Sequence, residues 1–186
     1  MRLAKPTPTG VERLFGEDEI IVSKTDPKGI ITYTNGTFLR VSAYTEEQIL
    51  GQPHNVIRHP DMPRSIFQLM WDTVEAGEEM FAYVLNLAGD GAHYWVFAHV
   101  TPTFGPHGRI IGHHSNRRLP DRLGVDRATA AYAAVLAEEA KHRDKSSAIA
   151  AGSALLMDLL AQRGQSYDEF VWSLNDPAAA PVGATR

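Results

Sequence analysis

The segment from Gly51 to Pro63, GQPHNVIRHPDMP, most constrains how this chain can fold, because it holds three prolines, two histidines, an arginine and an aspartate. Proline fixes its own φ angle and pushes the preceding residue toward extended backbone, so the segment cannot be one continuous helix or strand. A rigid, polar, irregular segment of this kind can form part of a binding site. The residues alone leave a plainer reading open, in which Asp61 only caps a helix, Arg58 is a surface charge and His59 lies in a solvated loop.

Composition excludes several classes of protein. The chain has 186 residues, of which 44% are hydrophobic and 22% charged, and its formal net charge is -4. These values predict a soluble globular protein with one domain and an appendage, and the interspersed charges give no basic patch for nucleic acid. The absence of cysteine excludes disulfides, thiolate nucleophiles and cysteine-based metal sites. Neither a signal peptide nor a membrane span is expected, so the expected location is cytoplasmic.

Five segments rich in strand-forming residues predict an antiparallel sheet. Glu19–Lys24 and Gly29–Thr34 are β-branched runs separated by a turn-forming sequence, which predicts two antiparallel strands. Glu79–Leu87, His93–Phe104 and Arg109–Arg117 are joined by glycine-containing turns and predict a three-stranded meander. The predicted fold class is therefore α+β, with a five-stranded antiparallel sheet, short helices on one face and a C-terminal helical extension.

Capping patterns and helical periodicity predict the helices. Thr45-Glu-Glu-Gln48 and Ser166-Tyr-Asp-Glu169 have the spacing of capping boxes, at which helices begin. Apolar residues recur at helical spacing from Pro63 to Gly77, which predicts the main amphipathic helix, with Asp61 at its start.

Changes in composition predict the organisation of the rest of the chain. Val11–Phe15 is expected to form an apolar clasp in a helical turn. After Pro120 we predict two helices, or one long helix with a solvated middle, in which Gly152 marks a close helix approach or a bend. The predicted regions are an N-terminal lead or cap at 1–16, a sheet-forming domain at 17–119, a helical region at 120–175 and a disordered tail at 176–186.

Four motifs follow one another in a characteristic order. They are Ile31-Thr-Tyr-Thr-Asn35 followed by Thr37-Phe38, the segment Gly51–Pro63, the pair Met70-Trp71, and His93-Tyr-Trp-Val96. Together they resemble the FAD-binding PAS domains of bacterial aerotaxis receptors. The resemblance covers residues 17–119, and the run Arg58-His-Pro-Asp61 is similar to the aerotaxis branch in particular.

The resemblance implies that the domain binds FAD and implies which residues hold it. Arg58, His59 and Asp61 fall on the family's FAD-binding motif, and Asn86 falls where such domains place an amide against the flavin ring. An amide can both donate and accept hydrogen bonds, and Arg58 supplies a permanent cation for the pyrophosphate or for a reduced anionic flavin. His59 is expected to act as a hydrogen-bonding group beside the cofactor. The full predicted set is Arg58, His59, Asp61, Asn86, Trp71, His54 and Asn55.

The resemblance also implies a function. We expect a soluble FAD-binding PAS sensor of redox, oxygen or energy state, which passes a conformational change through the junction Asn116–Pro120 to C-terminal helices or to a partner protein. A homodimer and an unidentified signalling partner are expected, with no nucleic acid and no membrane span. No enzyme is expected, because the chain lacks Walker, Rossmann and nucleophile-elbow motifs.

Two alternatives to this function stay open. A haem-binding PAS gas sensor is possible in chemical terms, because the chain has 8 histidines and a lone histidine can be an axial ligand. A cofactor-free PAS dimerisation module would need no ligand at all. Light sensing through a flavin–cysteinyl adduct is excluded by the absence of cysteine, whereas light sensing by photoreduction is not.

Overall fold

The structure is a computed structural model, and it describes residues 3–178. The chain forms two compact units. The first consists of Met1–His59 and Thr73–Leu119, and the second of Pro60–Asp72 and Pro120–Arg186. Within the described residues, none of the helices combines the length and the apolar character that a membrane span requires.

The first unit is built on the predicted five-stranded antiparallel sheet. Its strands are β1 Ile21–Thr25, β2 Ile31–Thr34, β3 Met80–Leu87, β4 His93–Phe104 and β5 Ile110–Arg118. Their order in the sheet is β2-β1-β5-β4-β3, so β2 and β3 form its two edges. The α+β fold class is confirmed, and the pairing of β1 with β5 joins the predicted two-stranded and three-stranded parts into one sheet.

The helices follow the capping patterns closely. They are α1 Gly36–Ser42, α2 Glu46–Ile49, α3 Arg64–Glu75, α4 Arg122–Glu139, α5 Lys145–Arg163 and α6 Tyr167–Ser173, with single 3₁₀ turns at His54–Ile57 and Pro106–Gly108. Both predicted capping boxes are present, at Thr45 with Gln48 and at Ser166 with Glu169. The long C-terminal stretch forms two helices, α4 and α5, rather than one.

Strand register gives the sheet one polar and one aromatic face. Ser23 of β1 lies opposite both Thr34 of β2 and Ser115 of β5. Neighbours two apart along a strand share a face, so Arg117 lies on the same side as Ser115. Arg117 also lies opposite Ala98, and Ala98 lies opposite Ala82, four residues before Asn86. We call this side the polar face; its polar residues that are at most 6% exposed include Ser23, Thr34, Asn86, His113, Ser115 and Arg117.

The opposite side is the aromatic face, which carries rings from β3 and β4. Phe81 stacks on His99 with ring centroids 4.2 Å apart and on Phe97 with centroids 5.8 Å apart. The contrast between the two faces means that the buried polar groups are concentrated on one side of the sheet.

The N-terminal lead is extended, so the helical turn predicted at Val11–Phe15 is wrong. The backbone of this stretch pairs with the β3–β4 hairpin, where Arg13 N donates to His93 O at 2.7 Å and His93 N donates to Val11 O at 2.9 Å. Gly91, with φ of 87°, permits the close approach, because a Cβ atom there would lie 2.4 Å from the carbonyl oxygen of Thr7. Pairing with the start of β4 satisfies these backbone groups, which a single helical turn would leave unpaired.

The second unit contains a tight junction between helices. Helix α3, which we predicted to begin beside Asp61, begins at Arg64. The carboxylate of Glu139 accepts from the backbone N–H groups of Arg64 at 3.1 Å and Ser65 at 2.9 Å. The prediction of a close helix approach at Gly152 is confirmed, because a Cβ atom there would lie 2.8 Å from Glu139 Cγ.

The C-terminal tail predicted at 176–186 is described only to residue 178. In that part, the carbonyl oxygen of Asp176 accepts a hydrogen bond from Arg127 Nη1 at 2.7 Å. Residues 179–186 lie outside the described residues.

Candidate functional site

The predicted binding segment crosses the sheet from one edge to the other. At the β2 edge, Ile31 N donates to Gln52 O at 2.9 Å, and Gly51 N donates to Ile31 O at 2.9 Å. After the 3₁₀ turn, Arg58 forms an antiparallel bridge with Asn86 of β3, the opposite edge. We call residues 51–59 the crossing segment. The proline at position 53 and the irregular backbone have a physical reason, since a regular helix or strand could not pair with both edges.

Three of the predicted residues meet at the β3 end of the crossing segment. Besides the Arg58–Asn86 bridge, His59 N donates to Leu85 O at 3.3 Å, and the ring of His59 lies 5.9 Å from that of His93. His59 is buried, whereas Arg58 is half-buried and its Nη1 donates to the carbonyl oxygen of His59 at 3.3 Å. Backbone pairing therefore brings Arg58 and His59 together with Asn86, which lies 27 or more residues further along the chain.

Asn86 has an unused hydrogen-bond donor. Asn86 is 1% exposed, and its side-chain Nδ2 has no hydrogen-bond partner among the described residues. Buried amide groups are normally paired, because desolvating a donor without replacing its bonds costs about 1–3 kcal/mol. An unpaired buried amide on the polar face is thus suited to a ligand that offers an acceptor.

His54 lies in a second cluster, with two residues that sequence reasoning missed. Its Nε2 is 2.6 Å from Arg117 Nη2 and 3.3 Å from Ser23 Oγ, and Arg117 Nη2 also donates to Ser23 Oγ at 2.8 Å. Because a guanidinium only donates, Nε2 must accept, which puts the proton of a neutral imidazole on Nδ1. Burial and the nearby Arg117 cation hold the pKa of His54 well below its usual range.

Arg117 is the buried cation of the first unit. It is 3% exposed, and its guanidinium lies 5.7 Å from the centre of the Phe38 ring. Burial lowers its pKa to about 10, so it is still protonated at neutral pH. Local sequence patterns indicated this buried position only weakly. The available signal was strand alternation, which places Arg117 and the exposed Arg118 on opposite faces of β5.

The polar face carries further unused polar atoms. Within residues 3–178, buried side-chain atoms of this face without a hydrogen-bond partner include Asn86 Nδ2, Thr34 Oγ1, Ser115 Oγ and Arg117 Nη1. They include amide, hydroxyl and guanidinium donors. A flavin ring offers carbonyl oxygens and ring nitrogens along one edge, so these groups fit its chemistry. These four atoms include no imidazole nitrogen, the common axial ligand of haem iron, but His113 is buried on the same face and carries one.

The remaining predicted residues lie elsewhere. Asn55 is exposed and lines a surface cavity of about 260 Å³ between the N-terminal lead and the crossing segment. Asp61 is exposed in the turn before α3, and Trp71 is half-buried on α3; both belong to the second unit. Roles for these three residues in cofactor binding stay predictions. In the described part of the chain, no group of three or more histidine and acidic side chains is arranged to hold a metal ion.

Comparison with protein families gives a match over most of the sheet-forming domain. Residues 31–115 match the family model described as PAS fold. The chain is 44% identical over 103 residues to the aerotaxis receptor of Escherichia coli K12, which covers 55% of this chain and 20% of the receptor. It is 33% identical over 91 residues to the nitrogen fixation regulatory protein of Klebsiella pneumoniae, covering 49% of this chain and 18% of that protein.

Solved structures give the same fold. A PAS domain from Colwellia psychrerythraea superimposes with a TM-score of 0.51 at 24% identity, covering 54% of this chain and 86% of that one. The LOV domain of the blue-light photoreceptor Aureochrome1 also gives 0.51, at 23% identity, covering 59% and 86%. The chain spans about a fifth of the length of the two curated relatives named above.

Proposed function

Because residues 31–115 of this chain form a PAS domain, similar to that of an aerotaxis receptor, we propose that the protein is a FAD-binding sensor of redox, oxygen or energy state. The observation that carries the proposal is Asn86, whose buried amide has an unused donor beside the crossing segment. The names of the relatives support a sensory role, and the donor chemistry of the polar face supports a flavin.

The residues of the first unit have distinct proposed roles. Asn86 donates to a carbonyl oxygen on the flavin edge and, through its own oxygen, accepts from a ring N–H. Arg58, which is half-buried, neutralises the pyrophosphate of FAD. His59 is buried and fixes the end of the crossing segment through the hydrogen bond from its backbone N to Leu85 O. A bound flavin supplies reversible uptake of electrons and protons.

The route of the signal follows from chain order. Strand β5 carries Ser115 and Arg117 on the polar face, and α4 begins at Arg122, only a few residues later. A change in hydrogen bonding at the polar face would thus reach the junction Asn116–Pro120 through continuous backbone. We propose that this change is read by the C-terminal helices or by a partner protein, in a cytoplasmic homodimer that acts as a sensor rather than as an enzyme.

The first test is an absorption spectrum of the purified protein, followed by titration of the ligand-free protein with FAD. We expect flavin absorption bands, or their appearance on titration. A protein that stays colourless and takes up neither FAD nor FMN would refute the proposal. A haem spectrum would favour the gas-sensor alternative, and a stable colourless dimer would favour the dimerisation module.

A variant pair tests the role of Arg58. Arg58→Gln should weaken FAD binding about tenfold, since it removes one charge-assisted contact, and should have little effect on riboflavin, which has no phosphate. Arg109→Gln, at an exposed position in the β4–β5 connection, is the matched control and should bind FAD as the wild type does. Equal loss of FAD and riboflavin affinity in Arg58→Gln would contradict a phosphate contact.

A further inference from the structure

Arg117 puts a positive charge inside the first unit without an acidic partner. Both groups that its Nη2 contacts, the hydroxyl of Ser23 and the neutral ring of His54, are uncharged. No ion pair of Arg117 with a carboxylate occurs among residues 3–178. The guanidinium is nevertheless only 3% exposed, so water does not compensate its charge.

A buried cation without an acidic partner destabilises the folded protein. Moving a cation from water into a protein interior is unfavourable even after relaxation. The ring of Phe38, 5.7 Å away, offsets only part of this penalty through a cation–π contact. In addition, Nη1 has no hydrogen-bond partner in the described part of the chain. A buried charge with spare donor capacity is typical of a group that acts on a ligand.

The neighbours of Arg117 favour an anion. Ser23 lies opposite Ser115 on one side and opposite Thr34 on the other. The hydroxyl groups of Ser115 and Thr34 are buried and have no partner among residues 3–178, so each can donate. His54 is held neutral and presents its acceptor nitrogen to Arg117, so it adds no second positive charge. The cluster therefore combines one cation with several donors and contains no carboxylate.

We propose that Arg117 is the charge partner of the flavin ring, and that it stabilises the negative charge which the N1–C2=O edge of the ring acquires on reduction. This assignment rests on the proposed function. It differs from the prediction that Arg58 meets the reduced flavin, because Arg58 is half-buried and donates Nη1 to the backbone of His59. The two arginines then contact different parts of the cofactor: Arg58 contacts the phosphates, and Arg117 contacts the ring.

Sulfite provides a direct probe of such a charge. Sulfite adds to N5 of an oxidised flavin without a leaving group. The sulfur lone pair forms the S–N bond, and the π electrons of the N5=C4a bond shift through the ring, which leaves a negative charge at the N1–C2=O edge. A cation beside that edge favours the adduct, as it favours the reduced anionic ring. Bleaching of the flavin absorption on sulfite titration therefore reports the charge without any signalling assay.

The experiment compares the full-length wild type with Arg117→Met, Arg117→Lys and Arg118→Met, each loaded with FAD. Arg118 is the matched control, because it is the next residue of β5 and is exposed. We expect Arg117→Met to bind sulfite at least about tenfold more weakly and to have a lower flavin midpoint potential. Arg117→Lys should retain much of both properties, and Arg118→Met should match the wild type.

Titration with riboflavin separates the ring from the phosphates. If Arg117→Met weakens FAD binding, leaves riboflavin binding unchanged and leaves sulfite affinity unchanged, Arg117 contacts phosphate and the assignment to the ring is overturned. Wild-type sulfite affinity and midpoint potential in a FAD-loaded Arg117→Met protein would also overturn it. A wild type that takes up no flavin would instead refute the proposed function, and this assignment with it.

A folding control keeps the test decisive. Circular dichroism and thermal unfolding of the ligand-free variants establish that each one is folded. If Arg117→Met is unfolded, Arg117→Gln replaces it, since glutamine keeps a donor for Ser23 while removing the charge. The expected weakening of sulfite binding is the same for that variant.

Discussion

Two buried ionisable side chains, one in each unit, have opposite hydrogen-bonding states. In the second unit, Glu139 accepts from Arg64 N at 3.1 Å, from Ser65 N at 2.9 Å and from Ser65 Oγ at 2.8 Å. In the first unit, Arg117 donates to Ser23 and His54 through Nη2 and keeps Nη1 unpaired within the described residues. The difference teaches that a buried group whose hydrogen-bonding atoms are all paired stabilises the fold, whereas a buried group with an unpaired donor is available to a ligand.

The surroundings of the two groups fit this distinction. Gly152 leaves room for Glu139, because any Cβ atom there would come within 3.0 Å of the carboxylate. Glu139 thus satisfies the first-turn N–H groups of α3, which a helix cannot satisfy internally. Arg117 instead contacts Ser23 and His54, which are uncharged, and the hydroxyls of Ser115 and Thr34 on the same face have no partner within the described residues. Three substitutions test whether the two groups differ in the way that their contacts indicate.

Replacing Glu139 should have the largest effect. Glu139→Leu leaves three buried or half-buried donors without an acceptor, so we expect the free energy of unfolding to fall by about 3 kcal/mol. Urea denaturation of the ligand-free protein measures it. The control is Glu138→Leu, which removes a surface pair with Lys141 and should change stability little. Equal stability of the two variants would show that Glu139 does not hold the start of α3.

The next effect is a pH dependence from His54. Burial and Arg117 hold its pKa well below the ordinary value of 6.5, so the folded protein keeps the ring neutral where the unfolded chain protonates it. The stabilisation is therefore complete above pH 6.5 and is lost as pH falls below it, by up to about 1.4 kcal/mol per pH unit. Urea unfolding at a series of pH values measures how the unfolding free energy changes with pH. His54→Gln should remove the fall in unfolding free energy that His54 causes below pH 6.5, whereas His107→Gln, at an exposed turn, should keep it.

Arg117 should give the smallest change in stability when no ligand is present. Arg117→Met removes a buried charge that has no acidic partner, and this relief offsets the lost bonds to Ser23 and His54. We expect the unfolding free energy of the ligand-free protein to change by less than about 1 kcal/mol in either direction. A loss as large as that of Glu139→Leu would mean that Arg117 is a structural charge, and the contrast between the two groups would fail.

Much of the fold was predictable from the sequence, because alternation, capping boxes and helical spacing are local signals. The strands, the capped helices and the close approach at Gly152 are examples. The extended N-terminal lead was not predictable from local propensity, since its backbone pairs with a hairpin about 80 residues away. For the same reason, nothing near Arg64 indicated that Glu139 would accept its N–H group.

The site was predictable only in part. Arg58, His59 and Asn86 came from the resemblance to a family, and backbone pairing brings them together. Arg117 was missed because the residues that alternate with it in β5 are His113 and Ser115, so the inward face of this strand carries no apolar signal. The contact between His54 and Arg117 was not predictable either, since it depends on how the crossing segment runs over the sheet.

The most direct test of the central claim is the stabilisation that FAD gives to the ligand-free protein. At a FAD concentration about 100 times the dissociation constant, binding should raise the wild-type unfolding free energy by about 2.7 kcal/mol. Asn86→Leu, which removes the unpaired buried donor, should lose about half of this gain. Asn116→Leu, at a half-buried position next to Ser115, should keep it. An equal gain in the wild type and in Asn86→Leu, or no gain in either, would contradict the account.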